Sequence, residues 1–158
     1  MLMLIEGSKL LKYPILSLHT ASRIAEVKSL VIDPNFLKVV AFEISAVSSR
    51  QRLFLEASSV REFSKMGMIV DSDEEFVEKD DVIKLNETID LGFSLGNMKV
   101  VSKKKAMLGR IEDFIINTED FQIMQLIVKR PIYKALIDPV LVIGRSDIHE
   151  INDSEIIV

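Results

Sequence analysis

Cysteine and tryptophan are absent from the 158 residues, and the chain has only 4 prolines, 6 glycines and 2 histidines. Without cysteine there is no disulfide framework and no thiolate-bound metal. His19 and His149 have no close imidazole partner, and transition-metal sites normally recruit imidazole or thiolate. Of the scattered glycines only Gly92 and Gly96 are close, so no glycine-rich phosphate loop exists. Long apolar runs are also missing. The longest stretch without a charged residue, Tyr13 to Ser22, is ten residues. A membrane-spanning helix needs ~20 mostly apolar residues. Met1 to Ile5 is apolar, but Glu6 ends the run, and no basic start precedes it as a secretory signal requires. The expectation is a cytoplasmic protein with no membrane span. In that setting Asn86-Glu87-Thr88 and Asn152-Asp153-Ser154 read as chance matches to the glycosylation pattern.

What is present is apolar material. Hydrophobic residues make up 48% and mean hydropathy is +0.25, enough to bury a core and inconsistent with disorder. The 20 basic and 24 acidic side chains give a net charge of −4, which does not suggest a strongly basic nucleic-acid binder. That charge is unevenly placed. Residues 1–70 carry +3, residues 71–91 carry −7 and residues 92–158 carry 0. The middle segment supplies the whole acidic excess.

The chain repeats itself. Ala25 to Ile44 aligns without a gap on Gly109 to Val128 at an offset of 84. Val27 meets Ile111, Leu30 meets Phe114, Phe42 meets Leu126 and Ile44 meets Val128. A second block, Ser59 to Val70, aligns on Asp147 to Val158 at an offset of 88. The second copy therefore holds four extra residues between Val128 and Asp147, around Arg130-Pro131-Ile132-Tyr133. Internal repetition of this kind sets the architecture before any single element does.

Each copy reads as strands. In Lys38 to Ile44 the alternate positions Val40, Phe42 and Ile44 are apolar, as are Met124, Leu126 and Val128, which predicts a strand with one face on a core. Asp33-Pro34-Asn35 is a turn signal, so Val27 to Ile32 pairs with Lys38 to Ile44 as a hairpin. Leu53 to Leu55 and Leu141 to Ile143 read as short buried strands. Val60 to Phe63 and Met68 to Val70 read as a further hairpin. Many short strands in so few residues suggest a small closed or half-closed barrel. Between the copies, Val82, Leu85 and Ile89 fall at helical spacing. They predict one amphipathic helix over roughly Asp80 to Leu91, capped by Asp80 or Asp81 and ended by Gly92. Asp71 to Glu78 reads as an exposed loop.

Gly109-Arg110-Ile111-Glu112-Asp113-Phe114-Ile115-Ile116 resembles the opening of the PRC-barrel family, a glycine leading into a hydrophobic strand with an acidic residue. Ala25 to Asp33 resembles it with Ala25 in place of the glycine. Leu95 to Val101 and Leu11 to Ser17 look like the opening strands of two such units. The resemblance covers nearly the whole chain. It implies a mostly β protein made of two tandem PRC-type β-barrels, residues 1–75 and 92–158, joined by an acidic linker with a short helix over 76–91. It also implies six strands per barrel, a docking role and no catalytic activity. In known relatives the barrel forms the cytoplasmic domain of the photosynthetic reaction-centre H subunit and the C-terminal domain of RimM-type ribosome maturation factors. This chain resembles the stand-alone tandem PRC proteins.

Possible chemistry is sparse. Gly92-Phe93-Ser94-Leu95-Gly96 matches the nucleophile elbow, with Asp138 or Asp147 and His149 following in order. The elbow needs a strand before it and a helix after it, whereas here a helix precedes and a strand follows. The acidic loop lacks the spacing of a calcium loop. Glu112 and Asp113 are strand neighbours on opposite faces, which rules out a cooperating acid/base pair. No catalytic residue, metal site or cofactor is expected. The candidate interaction residues are the basic cluster Lys103, Lys104 and Lys105 and the inserted loop residues Arg130, Tyr133 and Lys134. The plain readings are an exposed hairpin tip and a loop closing one barrel end. The functional readings are contact with RNA phosphates or an acidic protein, and an aromatic–arginine hot spot. No aromatic interleaves the lysines, so base stacking is not suggested. The leading reading is a non-catalytic adaptor that docks on another protein or complex. The alternative is a ribosome- or rRNA-associated maturation factor that binds a ribosomal particle. Exposed barrel edges would also permit homo-oligomers.

Overall fold

The computed structural model describes residues 3–158. The first half contributes β1 (Leu4–Glu6), β2 (Pro14–Ser17), β3 (Ser22–Asp33), β4 (Lys38–Ala46), β5 (Leu53–Glu56), β6 (Glu62–Ser64) and β7 (Gly67–Val70). Helix α1 (Ile83–Leu91) follows. Then come β8 (Lys99–Val101), β9 (Met107–Asn117), β10 (Ile123–Lys129), the single turn α2 (Ile132–Ala135), β11 (Val140–Gly144), β12 (Glu150–Ile151) and β13 (Glu155–Ile157). The protein is mostly β, with two sheets. One runs β5-β4-β3-β2-β7-β6 and the other β11-β10-β9-β8-β13-β12, with β1 added to β9.

The duplication predicted from sequence carries through to the hydrogen-bond register. Val27 pairs with Ile44, Leu30 with Phe42 and Ile32 with Val39. Their counterparts Ile111, Phe114 and Ile116 pair with Val128, Leu126 and Ile123. Leu55 lies opposite Phe42 and Ile143 opposite Leu126, which places the offset of 88 in register too. Even the turn chemistry repeats. The Asp33 carboxylate accepts from the Asn35 N–H at 2.9 Å, and the Asn117 side chain accepts from the Glu119 N–H at 2.9 Å. Both are side-chain turns that need no glycine.

Three sequence expectations are corrected. Neither sheet closes into a barrel, because β5 does not pair with β6 and β11 does not pair with β12. In the first sheet, Val77 pairs with Phe54 of β5 and occupies that edge. The inward face of β4 is Val39, Phe42 and Ile44, not Val40, because a bulge skips Val40 between the pairs Val31–Ala41 and Ile32–Val39. A bulge inserts one residue and flips the phase of alternation, and Met124 is skipped likewise in β10. The opening segments align one residue differently from expectation. Lys12 and Asn97 both take the left-handed conformation (φ 65° and 63°), and their N–H groups donate to Val27 and Ile111. Ile15 and Val100 are therefore twins, paired in parallel with Met68 and Ile156.

The start of the linker helix also differs from expectation. A 3₁₀ turn spans Lys79–Asp81, with the Asp81 carboxylate accepting from the Glu78 N–H at 2.7 Å. Val82 is then extended (φ −128°, ψ 112°), so α1 starts at Ile83, three residues later than its spacing suggested. Gly92 ends it in the left-handed conformation, φ 61°. This is the role expected of a helix-terminating glycine.

The two units share one core. Leu10, Ile15, Val39, Phe42, Leu55 and Met68 from the first pack in a single buried cluster with Leu95, Val100, Ile111, Ile123, Leu126 and Ile156 from the second. Full burial of each such side chain contributes roughly 1.5–3 kcal/mol. The hairpin tips exchange partners reciprocally. The Val39 N–H donates to the Phe121 carbonyl at 3.0 Å, and its twin, the Ile123 N–H, donates to the Leu37 carbonyl at 3.0 Å. Lys38 and Gln122 bridge between them. Leu37 (φ 46°) and Phe121 (φ 60°) hold left-handed backbones to make this exchange. The Phe121 ring meets Phe42 edge-on at 5.4 Å.

Candidate docking surface

Residues selected on sequence fall on two parts of the second unit. Lys103, Lys104 and Lys105 are exposed on the β8–β9 turn. Lys105, left-handed at φ 64°, directs its ammonium to the Glu155 carboxylate at 2.7 Å, which offsets part of the cluster's charge. Lys103 lines a shallow cleft of about 510 Å³ with Leu141, Val142, Ile143 and Asp147. Arg130 follows β10, and its guanidinium lies 3.9 Å from the Asp138 carboxylate. Tyr133 is exposed on α2, with the Lys134 ammonium 5.9 Å from its ring centre. The lysine turn and the inserted loop thus both adjoin β11, Lys103 through the cleft and Arg130 through its N–H bond to the Pro139 carbonyl.

Sequence reasoning missed the apolar part of this surface. Ile132, Leu136 and Ile137 are 86%, 86% and 93% exposed, and Val142 on β11 is 54% exposed. Scattered exposed apolar residues are ordinary, whereas these are concentrated on one loop and its adjoining strand. The available signal was the four-residue insertion itself, which has no counterpart to pack it in the first unit.

The equivalent surface of the first unit is covered. Phe54, the twin of Val142, is 1% exposed and packs with Ala41 and Leu85, with Val31, Val77, Val82 and Ile89 around them. The Phe54 N–H donates to the Val77 carbonyl at 2.8 Å, and the Val77 N–H donates to the Phe54 carbonyl at 2.9 Å. So residues 76–91, one extended stretch and one helix, lie over the outer face of β3, β4 and β5.

Two further features lie between the units. The Arg145 guanidinium donates to the carbonyls of Leu37 (2.8 Å), Ile123 (3.0 Å) and Phe36, and so holds the first hairpin tip to the second sheet. Its twin is Ala57. On the Ala57 side a cleft of about 900 Å³ remains, lined by Val60, Arg61, Phe63, Thr118 and Phe121 among others. Arg61 there donates to Asp71 at 2.6 Å, and this hydrogen bond, followed by the opposite charge, raises its pKa. Ser94 of the elbow-like motif sits beyond the left-handed Gly92 and beside the buried Leu95, in the turn that leads into β8. A helix before and a strand after is the order expected from sequence.

A scan against protein-family models and a search of curated proteins both find no match to this chain. Among the described residues no helix is long and apolar enough to cross a membrane.

Proposed function

We propose that this chain is a non-catalytic docking protein made of two tandem PRC-type units, and that it works by binding another protein through its second unit. The observation that carries this reading is the exposed apolar group of α2 and β11, set beside Arg130, Tyr133 and Lys134 on a rigid, duplicated scaffold. Aromatic and arginine anchors beside apolar residues are the usual composition of an interface centre. Support for the PRC-type identity is the tandem, register-matched hairpins and the Gly109 opening of the second copy. Affinity capture with the full tagged chain at native expression should recover a reproducible protein partner. Recovery of none in repeated captures would sink the reading. A second reading, a ribosome-associated factor, rests on Lys103 and Lys104, which are exposed and have no ion pair among the described residues. It requires co-sedimentation with ribosomal particles that weakens as salt rises.

A further inference from the structure

We propose that the outer face of the second sheet, with the free edge of β11, receives an acidic strand-plus-helix segment of a partner protein, as residues 76–91 of this chain cover the first sheet. The inference rests on the docking reading above and names the chemistry of what docks. Its template lies within the molecule. In the first unit the outward N–H and carbonyl of Phe54 are both taken by Val77, while Leu53 and Leu55 pair inward with β4. The register of β11 on β10 is the same, with Leu141 and Ile143 opposite Val128 and Leu126. Val142 therefore presents its N–H and carbonyl outward, and among the described residues no segment pairs with that edge. An unpaired edge strand is a ready acceptor for one further strand.

The side chains extend the comparison. Ile127 lies opposite Val142 on β10, and the segment that joins the two strands carries Ile132, Leu136, Ile137 and Val140 as further exposed apolar groups. On the first sheet the covering segment supplies Val77 and then Val82, Leu85 and Ile89 at helical spacing. Leu85 packs with Ala41, whose twin is the exposed Gln125. A segment that docks on the second sheet would carry a small or polar residue at that point.

Charge selects the occupant. Residues 129–144 hold Lys129, Arg130 and Lys134 against Asp138 alone, a net +2, whereas the covering segment 76–91 carries −3. A second copy presenting the same loop would bring +2 against +2, and like charges facing each other oppose association. An acidic segment is attracted.

The test uses the full chain and a labelled synthetic peptide copying residues 72–92 with Leu85→Ser, followed by fluorescence anisotropy. Saturable binding is expected. It should weaken as salt rises, and weaken roughly tenfold or more in Val142→Lys, the range of a lost hot spot. Lys134→Glu should weaken it by a smaller factor. Both positions are exposed, so circular dichroism should report unchanged folding. No saturation, or equal affinity for the Val142→Lys chain, overturns the proposal. So does a dimer that Val142→Lys dissolves, because the occupant would then be a second copy. A captured partner that the Val142→Lys chain retains equally well would leave the docking reading standing and remove this face from it.

Discussion

Phe54 and Val142 occupy the same place in two copies of one hairpin plan, yet one is 1% exposed and the other 54%. The first unit is dressed by the linker that follows it, through Val77 and α1. The second carries an insertion in its place, α2 and its flanks, that stays outside the core. The inner faces differ much less. Phe42 and Leu126, Val39 and Ile123, Ile44 and Val128 are buried in pairs. Duplication has preserved what the shared core requires and left the outer faces free to diverge.

Deep truncation in the core should test that equivalence with the largest effect. Phe42→Ala and Leu126→Ala each remove a fully buried side chain from the same cluster. Losses of about 3–5 kcal/mol for Phe42→Ala and 2–5 kcal/mol for Leu126→Ala are expected. Because the cluster spans both units, denaturant unfolding followed by circular dichroism should stay a single transition in each variant. Two separated transitions would show that the units are energetically independent.

Gly109 and Ala25 sharpen the comparison at the backbone. Gly109 has φ 151°, and a Cβ added there would lie 2.2 Å from the Lys129 carbonyl oxygen, far closer than van der Waals contact. Backbone cannot yield as a flexible side chain does, so Gly109→Ala should cost about 1–3 kcal/mol through strain. Ala25→Gly in the first unit should cost only about 1 kcal/mol, from added chain entropy. Equal costs at the two positions would mean that the strand openings are interchangeable.

Arg145 breaks the two-fold likeness from the other direction, since its twin is Ala57. Its three carbonyl partners belong to Phe36, Leu37 and Ile123. Arg145→Ala should lower stability by about 1–3 kcal/mol, because half-buried carbonyls lose a charged donor. Arg145→Lys should recover only part of this, since a single ammonium cannot match the guanidinium fork. Full recovery by lysine in thermal melts would contradict the forked geometry.

The legible parts of this molecule were those fixed locally. Asp33-Pro34-Asn35 predicted its hairpin, and Gly92 its helix end, because short-range sterics and side-chain turns decide them. The bulges at Val40 and Met124 were not legible, since both are apolar and fit either face of a strand. Nor was the inter-unit exchange, which requires the non-glycine residues Leu37 and Phe121 to hold left-handed backbones that only tertiary contact sustains. At the candidate surface, Arg130, Tyr133 and Lys134 stood out by chemical type. Val142 reads as part of a short buried strand and Ile132, Leu136 and Ile137 do not stand out, because composition cannot tell an apolar residue that has a cover from one that lacks it. Asp71 to Glu78 reads as an exposed loop for the converse reason: its charge hides the pairing of Val77 with Phe54, whereas Val82, Leu85 and Ile89 were legible from their helical spacing.

The smallest predicted difference between the units is a matter of pH. Tyr13, whose twin is Met98, stacks on Phe63 at 4.9 Å and donates its hydroxyl to the Ser64 carbonyl. Partial burial raises its pKa above the usual 10.0 by desolvating the phenolate. The neutral phenol is thus favoured by folding, so its contribution is fully present below the unfolded value of about 10 and is lost as pH rises through the higher folded value. Tyr133→Phe leaves Tyr13 as the only tyrosine, and its phenolate absorbance should titrate with a midpoint above that of free tyrosine. Tyr13→Phe should remove this part of the alkaline fall in melting temperature, whereas Met98→Leu in the second unit should leave it in place. A Tyr13 midpoint at or below the free value would mean that its ring is not held against Phe63 in solution, and this difference between the units would disappear.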